Sequence, residues 1–205
     1  MKTTRRLAIL EGLPKKDKFL RGYVDIYTQK RNGTRSYVGR SNLIVYCSRE
    51  WVLTSIFNLD NDNLGLPSGH NQWGVYWISI GNCNPDDPAN PPAPQDTDTA
   101  LVNEHLIGSG SQYADNGHKK GFDSVQFLQD SSKDNKYLIV QVTTTFEFNE
   151  VNSGANTPIN EAALWISDSN DPSTASNFLM FARTTFPTIN KDSNLKLQVL
   201  WYIYS

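Results

Sequence analysis

The chain has 205 residues, 38% of them hydrophobic and 20% charged, with a net charge of −2. That is enough for one domain with a real hydrophobic core, and the charge balance excludes whole-chain nucleic-acid binding. No segment approaches the roughly 20 apolar residues that span a bilayer, and Leu7-Ala8-Ile9-Leu10 behind Arg5-Arg6 is too short for a signal-peptide core, so we expect a soluble protein that folds in a reducing cytoplasm and is not exported by a leader.

Charge is unevenly placed. Residues 1–40 hold eleven of the nineteen Lys and Arg and three of the twenty-one acids, about +8, whereas residues 41–205 come to about −10. The first forty residues show no sustained period and carry Gly12, Pro14, Gly22, Gly33 and Gly39. They read as an extended N-terminal arm with room for one strand, ahead of a single domain over 41–205. The arm is either a solvated tail or a docking device, in which Arg5, Arg6, Lys15, Lys16, Lys18 and Arg21 meet an acidic surface such as a neighbouring copy. A nucleic-acid partner is disfavoured because the rest of the chain would repel phosphate.

Leu43–Cys47 starts a strand or a helix. Ser48 is a natural N-cap, and Val52, Leu53, Ile56 and Phe57 fall at helical spacing, which predicts one amphipathic helix within residues 48–58. Val75–Ile80 is apolar on both faces, as a central strand would be, and Gly81 ends it. Between Asn84 and Thr99 stand Pro85, Pro88, Pro91, Pro92 and Pro94, so this stretch is a semi-rigid surface loop. Asp98-Thr99-Ala100-Leu101 then leads to Glu104 as an edge strand or short turn.

Leu138, Val140, Val142, Thr144, Phe146 and Phe148 alternate with Ile139, Gln141, Thr143, Thr145 and Glu147, the period of a half-buried strand. Ile159–Ile166 and Phe178–Phe186 bracket a polar loop and predict a hairpin. Leu195, Leu197, Val199, Trp201 and Ile203 repeat the alternation at the C-terminus and build it into a sheet. The expected fold class is mainly β: an antiparallel β-sandwich or barrel with one short α-helix and an extended N-terminal arm.

Few residues suggest chemistry. His70, His105 and His118 lack partners at metal-ligand spacing. Asp60-Asn61-Asp62 followed by Gly65 is a poor calcium loop, with Leu64 at a ligand position and Asn71 where a bidentate Glu belongs. Cys47 and Cys83 are too few for a disulfide framework and match no zinc motif, so they read as small apolar fillers. Glu147, Glu150 and Glu161 could supply a glycosidase pair only if two of them met, and Ser109 in Gly-Ser-Gly lacks a nucleophile elbow. We therefore expect no enzyme, cofactor or metal. Glu161 reads better as structural: if Leu164 faces Met180, Glu161 lies opposite Arg183 in a cross-strand ion pair. Tyr202 and Tyr204 make the second face of the last strand partly apolar, which suits either burial on both sides or a subunit interface. Trp73, Trp77 and Tyr113 would be the stacking faces of a carbohydrate-binding module.

The order of these blocks carries a resemblance. Asn42-Leu43-Ile44-Val45 with Arg49, the strand ending at Gly81, the Pro-rich loop closing on Asp98–Leu101 and Glu104, and the long Thr/Phe strand come first. Ile159-Asn160-Glu161-Ala162-Ala163-Leu164-Trp165, Met180-Phe181-Ala182-Arg183 with Phe186-Pro187, and the terminal strand with Trp201 follow. From residue 42 onward this series resembles structural proteins of tailed-bacteriophage virions, of the neck, collar, tail and fibre-attachment type, which more often have Gly at the place of Ala163 and Phe at that of Trp165. The resemblance implies a non-enzymatic β-sandwich located in the virion, assembling with other copies of itself and with neighbouring virion proteins. A capsid decoration or head-fibre protein is the alternative it leaves, and a glycan-binding module lies further off.

Overall fold

Alternation along the chain is realised as two antiparallel sheets in a computed structural model, which describes residues 21–41, 43–44, 73–84, 86–87, 90–95, 97–129, 138–151 and 156–204. The strands are β1 (Arg21–Lys30), β2 (Arg35–Ser41), β3 (Leu43–Ile44), β4 (Gly74–Gly81), β5 (Tyr113–Ala114) and β6 (Lys119–Gly121). They continue with β7 (Ser124–Gln129), β8 (Leu138–Phe146), β9 (Thr157–Ser167), β10 (Phe178–Lys191) and β11 (Leu195–Tyr204). One sheet has the order β2-β1-β11-β8-β7 and the other β3-β10-β9-β4-β6-β5.

The two sheets share one core. From the five-stranded sheet come Val24 and Ile26 of β1, Val142 and Phe146 of β8, and Leu197, Val199 and Trp201 of β11. They meet Ile78 and Ile80 of β4, Leu164 and Ile166 of β9, and Phe181 and Phe186 of β10. Each such side chain contributes about 1.5–3 kcal/mol by leaving water, before the entropy of ordering the chain is counted. On the far face of the six-stranded sheet a second cluster joins Trp77, Ala163, Trp165 and Met180 to Leu101 and Ala114. The segment between Asp98 and His118 thus roofs that face, and β4 is apolar on both sides because it is covered on both.

The boundary of the N-terminal arm needs correction. Residues 21–41 form a β1–β2 hairpin whose first strand pairs along its whole length with β11, from Arg21 opposite Tyr204 to Lys30 opposite Leu195. Val24 and Ile26 are fully buried, so this part belongs to the body of the fold. Gly33, at φ +85°, closes the turn where a side chain would be strained, and its N–H reaches the Lys30 carbonyl at 2.9 Å. Residues 1–20, with Arg5, Arg6, Lys15, Lys16 and Lys18, lie outside the described residues, as does the helix expected within 48–58.

Two further expectations shift. The Thr/Phe strand stops at Phe146, and Glu147–Glu150 turn away from the sheet. The β9–β10 hairpin forms in another register: Met180 faces Trp165 and Ala182 faces Leu164, with a bulge at Phe181. The bulge turns both Phe181 and Ala182 towards the core.

Candidate functional site

Glu161 and Arg183 sit on the roofed face of the six-stranded sheet. With the bulge in place Arg183 is opposite Ala163 and Glu161 opposite Thr185, so the two side chains meet on a diagonal. Arg183 donates through Nη2 and Nε to Glu161 Oε2 at 2.7 and 3.1 Å, and through Nη1 to Asp98 at 2.6 Å. The second Glu161 oxygen accepts the backbone N–H groups of Val102 and Asn103 at 3.1 and 3.4 Å. Glu161 has no exposure and Arg183 5%.

One buried carboxylate therefore ties a strand, its neighbour and the roofing segment together. A Cβ at Gly81 would fall 2.5 Å from the Asn103 carbonyl oxygen and 2.7 Å from Glu161 Oε1, so only glycine lets the roof lie so close. Burial pushes the Glu161 carboxyl above its ordinary value, against the pull of Arg183 and the two amides. Burial also opposes the Arg183 charge, but hydrogen bonds to Asp98 and Glu161 hold its pKa above the usual one. Cys83 lies nearby; burial first and the Glu161 charge second push its thiol up to about 11. Its N–H donates to Asn160 Oδ1 at 2.7 Å.

A second constellation centres on Glu150. Lys120 Nζ reaches both its oxygens at 2.7 and 2.8 Å, Tyr113 donates its hydroxyl to it, and the Glu147 N–H adds a bond of 2.7 Å. Below the same turn the Lys191 ammonium, with no exposure, donates to the Glu147 and Glu150 carbonyls at 2.8 and 2.6 Å. Burial lowers its pKa to about 8. Val151, at φ +57°, is held by an N–H bond of 2.8 Å to the Ile107 carbonyl, so the strained turn is fastened from two sides.

Lys119 completes the set. Its Nζ bridges Asp115 at 2.6 Å and Glu104 at 3.1 Å while lying 4.2 Å from the centre of the Trp165 ring. Sequence reading missed Lys119, Lys120 and Lys191. Adjacent lysines look like a solvated turn, and the one available signal was Gly121 closing a very short strand.

The remaining candidates are dispersed. His105 Nε2 lies 2.8 Å from the Pro158 carbonyl oxygen, whereas His118 is on a separate turn and His70 is outside the described residues. Glu147 pairs with Lys196 at the surface and contributes its backbone, not its carboxylate, to the Glu150 cluster. Ser109 lies in an irregular segment that leads into the two-residue β5, not directly into a helix. Trp77 is 1% exposed with its indole N–H on the Ser169 carbonyl, and Tyr113 is 8% exposed; Trp73 packs against the main core. Trp77 lies under the roof, and Tyr113 and Trp73 pack into the main core, so the three do not form one exposed stacking surface. Tyr202 is buried, Arg21 starts β1, and the Tyr204 side chain lies outside the described part. No helix among the described residues is long and apolar enough to cross a membrane.

Chemically the two buried clusters neutralise charge and fix irregular backbone. Glu161 and Glu150 are each matched by a cation and by amide donors, an arrangement that holds a loop in place. Set against known protein families, curated proteins and solved structures, the chain matches none of them.

Proposed function

We propose that this chain is a non-enzymatic β-sandwich building block of a tailed-phage virion, assembling in several copies at the neck, collar or tail and attaching neighbouring virion proteins there. The observation that carries the reading is the ordered series of blocks from residue 42 to Trp201. The blocks from Gly81 onward, which lie among the described residues, supply parts of the core, the Glu161–Arg183–Asp98 tie and the roof of the six-stranded sheet. A surface whose interior charges are spent on loop fixation suits a rigid part that transmits load between neighbours.

The test is direct. Gold-labelled antibody raised against the purified protein should decorate a neck or tail position on virions from lysates in which the chain is expressed from its own genome. Label confined to the head would move the protein to the decoration or head-fibre class, and particles without label would refute the virion reading. Incubation with host surface polysaccharide and peptidoglycan should release no reducing ends; release that disappears in Glu147→Gln, Glu150→Gln or Glu161→Gln would make it a hydrolase.

A further inference from the structure

The outer edge of a sheet carries backbone N–H and C=O groups without a ladder, and folds commonly protect it by a short strand, a charge, a proline or a bulge. Most sheet edges among the described strands follow that rule. β3 and β5, which end the six-stranded sheet, are two residues long, and β2, at one side of the five-stranded sheet, carries Arg35 and Arg40. β7, at the other side, is the exception. Its residues Ser124-Val125-Gln126-Phe127-Leu128-Gln129 include no charge, no proline and no glycine. Its register against β8 runs without a bulge from Ser124 opposite Thr143 to Gln129 opposite Leu138. Among the described residues no strand pairs with its other side.

A second observation marks the same edge. Val125 stands opposite Val142, a core residue, so the two share the inner face of the sheet. Val142 is 5% exposed, yet Val125 is 53% exposed. The inner face is therefore open to solvent at this edge, and a strand added beyond β7 covers apolar surface there. Gln126, opposite Gln141, is exposed on the outer face. Asp123, which precedes the strand, turns its carboxylate back to the Thr145 N–H of its own copy at 2.7 Å.

We propose that β7 of one copy pairs antiparallel with β7 of a second copy about a two-fold axis at Gln126, joining two five-stranded sheets into one. An axis normal to the sheet keeps inner face beside inner face, so odd-numbered residues must stand opposite odd-numbered ones. Centred on Gln126, the register sets Val125 opposite Phe127 of the second copy and Ser124 opposite its Leu128. The exposed valine thus gains an apolar neighbour across the junction. Main-chain hydrogen bonds supply the affinity, as in other strand additions, and no charge lies within the paired segment to oppose them. The same operation on β2 gathers Arg35 and Arg40 of both copies at one junction, which is why a second copy fits β7 and not the opposite edge. The contact is isologous and closes at two copies. The inference rests on the multi-copy virion reading and names the strand through which copies meet.

The experiment is sedimentation velocity on the full chain over a concentration series, at low and high salt. The wild type should form a dimer whose Kd does not rise with salt, since the junction is uncharged. Gln126→Lys and Gln126→Glu each set like charges face to face at the axis, and each should weaken the dimer at least about tenfold in Kd, which is about 1.4 kcal/mol. Gln126 is exposed, so both variants should keep the native circular dichroism of the monomer. Mixing them should restore a dimer, because residue 126 then meets the opposite charge. Ser36→Glu, on the β2 edge, should leave association unchanged. Variants at Gln126 that dimerise as well as wild type, or that fail to recover on mixing, would overturn the inference while leaving the multi-copy reading standing. A wild type that stays monomeric yet labels virions would overturn it too, and would assign the joining of copies to other proteins. A monomer that labels no virion would remove the functional reading along with it.

Discussion

Truncating either member of the Glu161–Arg183 pair should be among the most damaging single changes in the chain. Glu161→Ala leaves the Arg183 guanidinium buried with Asp98 as its remaining carboxylate, and strips the Val102 and Asn103 N–H groups of their acceptor. Arg183→Ala leaves a carboxylate with no exposure and no cation, in a place where burial already raises its pKa. Breaking a buried pair from one side costs about 3–5 kcal/mol. At about 2–4 °C per kcal/mol for a chain of this size, that is a fall in Tm of about 6–20 °C. The double variant should recover about 0.5–3 kcal/mol relative to the sum of the singles, since neither uncompensated charge is then left inside. Urea unfolding followed by tryptophan fluorescence measures all four proteins. Strictly additive losses, or a Glu161→Ala cost below about 1 kcal/mol, the scale of an ordinary exposed ion pair, would refute the argument that this tie holds the roof to the sheet.

Other expectations follow from the same geometry. Removing residues 1–20 should leave a folded body, whereas removing 1–35 should unfold it: Val24 and Ile26 together contribute about 3–6 kcal/mol, a large part of a typical net stability of about 5–15 kcal/mol. Circular dichroism of the two truncations decides this, and a folded 36–205 fragment would contradict the role given to β1. Lys191, with its pKa lowered to about 8, binds its proton less tightly folded than unfolded, so stability should rise with pH from about 8 towards 10.5. The advantage of wild type over Lys191→Met should therefore be larger at pH 10 than at pH 7, and a constant difference in chemical denaturation would count against the burial described. In a Cys47→Ser background, Cys83 should resist a thiol reagent at pH 8 until urea unfolds the protein, because the thiol is 5% exposed and pushed up to about 11. Rapid labelling of the native protein would show that its surroundings open.

Alternation was readable wherever one face of a strand meets the core and the other does not. That is why β8, β11 and the β9–β10 hairpin stand out in the sequence, and why Glu161 and Arg183 pair on the alternation alone. The register could not be read the same way. A bulge at Phe181 turns two consecutive residues inward, and what stabilises it is the packing on either side, which leaves no mark on local periodicity. β1 shows the reverse case. Val24 and Ile26 alternate with Tyr23, Asp25 and Tyr27, but the pattern is short and surrounded by basic residues, so charge outweighs period in the sequence and the hairpin reads as part of an arm. Trp77 reads as available to a ligand because nothing in its own neighbourhood announces a cover supplied by residues 98–118, and Tyr113, itself part of that segment, is buried against the main core.

The cover also explains why this fold keeps charges inside. The segment roofing the six-stranded sheet is mostly irregular: among its described residues only Glu104 bridges to β4, at Gly81, and the two-residue β5 pairs with β6. It has little ladder to join, and Leu101 and Ala114 press it against Trp77, Ala163 and Trp165 while Val102 carries its side chain into solvent. Buried N–H and C=O groups need partners; the Asn103 carbonyl accepts the Asn82 N–H and the His105 N–H reaches the Ile80 carbonyl, while the Val102 and Asn103 N–H groups turn to a side chain anchored in the sheet. Glu161 takes the Val102 and Asn103 amides; Arg183 is then required to balance Glu161, and Asp98 to complete Arg183. Lys191 does the same for the carbonyls of the 147–150 turn. Glu161→Met would fill much of the volume yet leave two amides without their acceptor and Arg183 with Asp98 alone, so it should destabilise the roof, unlike replacement of both partners of an ordinary buried ion pair by apolar residues, which is often neutral. Hydrogen exchange at Val102 and Asn103 in Glu161→Met, compared with the rest of the domain, separates the two cases: selective acceleration at those amides is expected, and uniform protection would mean that the carboxylate is there for its charge alone.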